Sequence, residues 1–232
     1  MDAGGIAGTI YEISVWLVPL VVAITLHEAA HGYAALRFGD DTALRAGRIS
    51  MNPLRHVDAF GTFILPGALL LASGGQFAFG FAKPVPVNFW RLRNPKRDMI
   101  WVAAAGPAMN IALGFITGIL FHFVPVMPPI AADWFAANLS NSLQINAILA
   151  VFNMIPIPPL DGGRVAVGIL PHPLAERLAR LERWGLFIIL AVVFLLPFIG
   201  SKLGLDLNVL PWLLGPPVDA LIRIIATLTG NA

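Results

Sequence analysis

No cysteine occurs in the 232 residues, which excludes disulfides, thiol nucleophiles and thiolate metal ligands. Charge is scarce too. Asp, Glu, Lys and Arg make up 12% of the chain against 57% hydrophobic residues, too little polar surface to cover a soluble domain of this size. The net charge of +2 is not gathered into a basic tract, so no nucleic-acid partner is expected. Met1 to Tyr11 carry no Lys or Arg. The charged start of a secretory signal is missing, and the first hydrophobic segment is expected to be retained. Internal repeats and low-complexity tracts are also absent, and the expectation is one membrane-embedded domain over 1–232.

What the chain does have is apolar runs of about twenty residues, the length that crosses a ~30 Å hydrocarbon layer. The fold class read from them is an all-α multi-pass membrane protein with about five to six transmembrane segments. Spans are expected over 13–36, 99–124 and 136–155, the last ending at Pro156, Pro158 and Pro159, with further apolar segments at 185–200 and 209–228. The apolar segment 60–81 is different. Arg37, Arg45, Arg48 and Arg55 precede it, Lys83, Arg91, Arg93, Lys96 and Arg97 follow it, and Pro66, Gly67, Gly74 and Gly75 interrupt it. A straight span would put one basic cluster on each side of the membrane. A re-entrant or β-hairpin element returning to the same side keeps both clusters cytoplasmic, with the N-terminus outside.

The chemistry begins inside the first span, at Thr25-Leu26-His27-Glu28-Ala29-Ala30-His31. Residues four apart on a helix differ by about 40° around the axis, so both imidazoles share one face and can bind one metal ion. Glu28, one residue on, is placed to act as general base on an activated water. Three ionisable groups in five residues of a span each cost roughly 2.5–3.5 kcal/mol on insertion scales, which favours a bound ion over buried polar packing. The pair sits about two to three turns from the Arg37 end, submerged but nearer the cytoplasmic face. With cysteine absent, mixed His and carboxylate ligands favour Zn²⁺, one per chain.

A catalytic zinc needs a third protein ligand and an open position. Asp161 is the strongest candidate, in Pro158-Pro159-Leu160-Asp161-Gly162-Gly163, where the prolines leave irregular backbone that should line a cavity. Asn138, Ser142, Asn146 and Asn153 form a polar stripe on the preceding span that could hold a substrate or equally bond between helices. Asn153, nearest the break, is the candidate substrate-binding residue. His56, in a basic loop, is a candidate to support a ligand or replace one. The small residues of Ala103-Ala104-Ala105-Gly106-Pro107-Ala108-Met109-Asn110 read as close helix packing, with Asn110 able to orient a neighbour. Lys83 to Asn88, with two prolines, reads as extended backbone that could lie along a substrate.

His27-Glu28-Ala29-Ala30-His31 in the first span together with Asn153 and Leu160-Asp161-Gly162 after a later one resembles the site-2 protease family. The match looks closest to its compact bacterial members without PDZ or CBS domains. Gly47-Arg48-Ile49-Ser50-Met51-Asn52-Pro53, Ala82 to Asn88 and Ala105-Gly106-Pro107 with Asn110 are similar to that group as well. The resemblance implies an intramembrane zinc metalloprotease with a three-helix catalytic core within about 13–165 and C-terminal helical segments at 185–228. It implies zinc held by His27, His31 and Asp161, Glu28 as catalytic base, and membrane-anchored protein substrates cut within or near the bilayer, in a cell membrane such as the bacterial inner membrane. A metal-binding membrane protein or transporter without proteolytic activity is the alternative. It explains the histidines but not a Glu beside the first ligand.

Overall fold

Pro19 lies inside the first helix, α1 (Ala3–Arg37), and its missing N–H leaves the carbonyl of Val15 without a helical partner. Asn141 of a later helix supplies one, its Nδ2 donating to Val15 O at 2.9 Å. Trp134 Nε1, on the same later helix, donates to the neighbouring Ser14 Oγ at 2.8 Å. Interhelical hydrogen bonds thus replace what proline removes, as they must where water is absent.

The computed structural model describes residues 3–56, 58–64, 67–68, 71 and 83–231. The helices after α1 are the short α2 (Thr42–Arg45), α3 (Pro95–Phe121), α4 (Pro129–Asn153), α5 (Asp161–Ile169), α6 (His172–Ala179), α7 (Glu182–Leu203) and α8 (Val209–Leu228). Among the described residues no strand occurs, and five helices are long and apolar enough to cross a membrane: α1, α3, α4, α7 and α8. The protein is an all-α multi-pass membrane protein.

Helix ends follow local chemistry. Pro95 opens α3 without losing a bond it needs, while Asp98 of the first turn accepts the Asn94 N–H at 2.8 Å. Pro129 opens α4 earlier than the expected start near 136, because a proline at the first helical position needs no N–H partner. Pro197 is preceded by a π-helical turn at Ala191–Leu195 inside α7, which widens the helix where the ladder would break. The segment between α4 and α7 contains α5 and α6.

α1, α3 and α4 pack on one another, with α5 against α3. α8 lies on the Gly114–Gly118 step of α3, where Ile225 and Thr229 occupy the space a side chain would need. α7 presses Gly185 against the carbonyl of Pro158. Residues on the outer faces, such as Ile13, Leu17, Ile116, Phe187, Phe198 and Ile224, are exposed and apolar, which suits a lipid boundary rather than water.

The path of 60–81 lies largely outside the described residues, and the re-entrant or β-hairpin element expected there with it. Its flanks, however, meet. Lys83 N donates to His56 O at 2.8 Å, and Arg48 Nη2 to Lys83 O at 2.6 Å. Asp40, fully buried beyond the end of α1, accepts the N–H groups of Thr42 (3.0 Å) and Asn88 (2.6 Å), and Arg93 N donates to Phe38 O. The extended run 83–88 is thereby fastened along the Arg37 end of α1 without a strand partner among the described residues.

Candidate metal centre

The helical period of α1 brings His27 and His31 onto the face that meets α3. A turn of irregular backbone after α4 delivers Asp161 at the start of α5. The ligand atoms converge: His27 Nε2 and His31 Nε2 are 3.1 Å apart, and Asp161 Oδ2 lies 3.2 and 3.3 Å from them. All three side chains are buried. Zinc held at 2.0–2.1 Å in a tetrahedron separates its ligand atoms by about 3.3–3.4 Å, close to all three edges of this triangle. Asp161 Oδ2 makes no hydrogen bond in this buried position, an orphan that a cation would satisfy.

The imidazoles are turned for the purpose. His27 Nδ1 faces Asn110 Oδ1 at 2.6 Å, and His31 Nδ1 faces the carbonyl oxygen of Val102 at 2.7 Å. Each ring donates from Nδ1 and keeps a bare lone pair on Nε2, the tautomer a metal needs. Gly106 of α3 forms one wall. A Cβ there would lie 2.4 Å from His31 Nε2 and 2.6 Å from His27 Nε2. Two neutral imidazoles, one carboxylate and a wall with no side chain fit a resident zinc ion.

The loop that carries Asp161 depends on close approach rather than unusual dihedrals. Neither Gly162 nor Gly163 has positive φ. A Cβ on Gly162 would sit 2.2 Å from Met154 O, and one on Gly163 would sit 2.2 Å from Pro158 N. The pair therefore lets α5 seat directly on the backbone of the proline turn.

A cavity of about 230 Å³ opens onto the triangle, lined by His27, Glu28, His31, Val85, Asn153 and Asp161 among others. Glu28, half-buried, accepts the backbone N–H of Val85 at 2.7 Å. Val85, Val87 and Phe89 alternate toward this space, the period-2 pattern of extended backbone. Asn153 lines the cavity, with Nδ2 donating to Leu149 O at 3.0 Å and one N–H left over. The rest of the polar stripe bonds between and along helices instead: Ser142 Oγ meets Thr117 Oγ1 and Asn146 meets Asn110. His56 is buried in the preceding loop, Nε2 donating to Ser50 O at 2.9 Å, and is not part of the cavity wall. Its own carbonyl holds Lys83, at the start of the run that carries Val85.

Three groups at the site carried no strong signal in sequence. Gly106 reads as a packing residue, and the Val85 N–H is backbone and invisible to motif reasoning. Arg164 follows Asp161 by three, lines the cavity, stacks its guanidinium 5.3 Å from the Phe89 ring centroid and pairs with Glu182 at 3.1 Å. One helical turn from a candidate ligand is a spacing that could have found it.

The chain matches the model of Peptidase family M50 over residues 15–142 and 129–196. A Bacillus subtilis protein provisionally named zinc metalloprotease YwhC is 37% identical over 188 residues, covering 78% of this chain and 80% of that protein. Mycobacterium tuberculosis Rip2, provisionally named a zinc metalloprotease, is 32% identical over 87% of this chain and 71% of its own length. MJ0611 of Methanocaldococcus jannaschii, named in the same way, is 32% identical over 67% of this chain and 72% of its own. No solved structure matches at comparable significance.

Proposed function

The chain belongs to peptidase family M50, the site-2 proteases, and from that premise we propose that it cuts membrane-anchored proteins within or near the bilayer, using one zinc ion per chain. Cleavage at the membrane is supported above all by one observation: the His27, His31 and Asp161 ligand atoms meet beside Glu28 in a cavity between membrane-length apolar helices and the 84–89 run.

Zinc at this site supplies Lewis acidity, which lowers the pKa of a water and polarises a carbonyl. The protein's own groups do the rest. Glu28 accepts a proton from the attacking water and can return it to the leaving amide nitrogen. Asn153 has a spare N–H on the cavity side with which to hold a substrate carbonyl. The run 84–89 offers extended backbone and the side chains of Val85 and Val87 along one wall, a place for a substrate segment unwound from its helix. Alanine at both valines is expected to slow cleavage about tenfold with zinc content unchanged, about 1.4 kcal/mol of lost transition-state binding. Unchanged rates would remove this wall from substrate binding.

Sidedness follows from charge. Every Lys and Arg except Lys202 and Arg223 precedes Trp184 and clusters near the Arg37 end of α1, the start of α3 or around α5 and α6. By the positive-inside rule this distribution supports a site nearer the cytoplasm, in a cell membrane such as the bacterial inner membrane.

Metal content tests the ligand set. Elemental mass spectrometry of the purified protein is expected to find about one zinc per chain in wild type and Glu28→Gln, and almost none in His31→Ala or Asp161→Ala. A folded wild type that takes up no zinc when supplied with it would return the histidines to structural roles. Zinc bound with no hydrolysis under any condition would favour the transporter-like alternative.

A further inference from the structure

We infer that Asn146 of α4 is a positioning residue that acts through Asn110 of α3 to fix the His27 ring as its Nδ1–H tautomer. The inference rests on the reading of His27 as a zinc ligand and concerns how that ligand is prepared. His31 takes its orientation from the backbone carbonyl of Val102, which no substitution removes. His27 depends on a side chain alone, because its Nδ1 partner is Asn110 Oδ1 at 2.6 Å.

An asparagine facing a histidine is ambiguous by itself, since rotating the amide would present an N–H and demand the opposite tautomer. Here the ambiguity is resolved at a distance. Asn146 Nδ2 lies 2.9 Å from the carbonyl oxygen of Ser142, which can only accept. The amide of Asn146 is thereby turned with Oδ1 toward Asn110, whose Nδ2 donates to it at 2.8 Å. A second acceptor-only group, Ala23 O, lies 3.4 Å from the same Nδ2. With its nitrogen committed to these oxygens, Asn110 can present only Oδ1 to His27. The chain of donors therefore runs one way, from His27 Nδ1–H through two amides to a backbone carbonyl, and leaves Nε2 bare.

Burial makes the arrangement matter. Asn110 is 0% exposed and Asn146 1%, so no bulk water can substitute for a lost partner, and a flipped amide would face oxygen with oxygen. The three members come from three helices, α1, α3 and α4, and the metal triangle is built where those helices meet. Asn146 does not line the cavity and its hydrogen bonds go to Asn110 and Ser142, so its effect on the metal has to pass through Asn110.

The test measures zinc affinity of the full-length, detergent-solubilised protein by competition with a chromogenic chelator, together with thermal midpoints of the metal-free forms. Asn146→Leu and Asn110→Leu are expected to bind zinc about 10–100-fold more weakly than wild type, the usual effect of removing a partner of a ligating histidine. Asn146→Asp and Asn110→Asp are expected to recover to within about threefold. Burial and the acceptor oxygen behind each position favour the protonated acid, which keeps an acceptor facing the next donor and a hydroxyl for that oxygen. A purely structural role would lower the metal-free midpoint without this leucine–aspartate split in affinity. Should a leucine variant fail to fold, Asn146→Ala removes the relay without added bulk. Wild-type affinity in a folded Asn146→Leu or Asn146→Ala would overturn the inference, as would aspartate variants no tighter than the leucine ones. A wild type that binds no zinc would instead overturn the ligand reading beneath it.

Discussion

Glu28→Gln is expected to lower the rate of peptide-bond hydrolysis by 10²–10⁴-fold while leaving zinc content at the wild-type level. General-base catalysis by a positioned side chain contributes on that order, about 2.7–5.5 kcal/mol of barrier. The substitution is informative because of what it preserves. Glu28 Oε2 accepts the Val85 N–H at 2.7 Å, and the amide oxygen of glutamine can accept the same bond, so the side chain and the 83–88 run keep their places. Only the ability to take a proton is lost. Initial rates on a membrane-anchored reporter in proteoliposomes, alongside zinc per chain, would measure both quantities. A variant within tenfold of wild type would take the proton-transfer role away from Glu28. A variant that lost its zinc would show the carboxylate to be part of the metal site instead.

The same bond shows where sequence reasoning reaches and where it stops. His27, Glu28 and His31 are readable because a helix has a fixed period, so spacing alone puts both imidazoles on one face. Asp161 is readable because prolines end a span and a buried carboxylate needs a partner. What is not readable is which face of one helix meets which face of another. On α4 the polar stripe looks uniform, yet Asn138, Ser142 and Asn146 make bonds within the bundle while Asn153 reaches the cavity. The split arises because the middle of α4 bonds to α3 while its last residue lines the cavity, a relation between helices that no single period encodes. His56 is a similar case. As a histidine in a loop it resembles a ligand, but the loop folds its ring against Ser50 O. Backbone donors such as the Val85 N–H carry no residue signature at all.

Gly106 is the sharpest instance of that limit, and Gly106→Ala is expected to reduce zinc affinity by at least 100-fold without changing any ligand. In sequence it belongs to a run of small residues on α3, which ordinarily means close helix packing. In the fold its missing side chain is the free space against the metal triangle: an alanine Cβ would lie 2.4 Å from His31 Nε2 and 2.6 Å from both Nε2 and Cε1 of His27. Imidazole rings are side chains and could swing aside, but swinging breaks the Nδ1 bonds to Asn110 and Val102 that orient them. The metal-free protein should feel the change much less. Overpacking costs about 1–3 kcal/mol, and alanine recovers about 1 kcal/mol over glycine in a helix, so the net loss of stability is about 0–2 kcal/mol. The expected signature is therefore a folded apoprotein, with a thermal midpoint near that of wild type, that takes up almost no zinc. A Gly106→Ala protein carrying a full zinc ion at wild-type affinity would mean that the ligands stand farther from α3 when the metal is bound than they do here. That result would separate the geometry of the triangle from the identity of its three ligands, which His31→Ala and Asp161→Ala test independently.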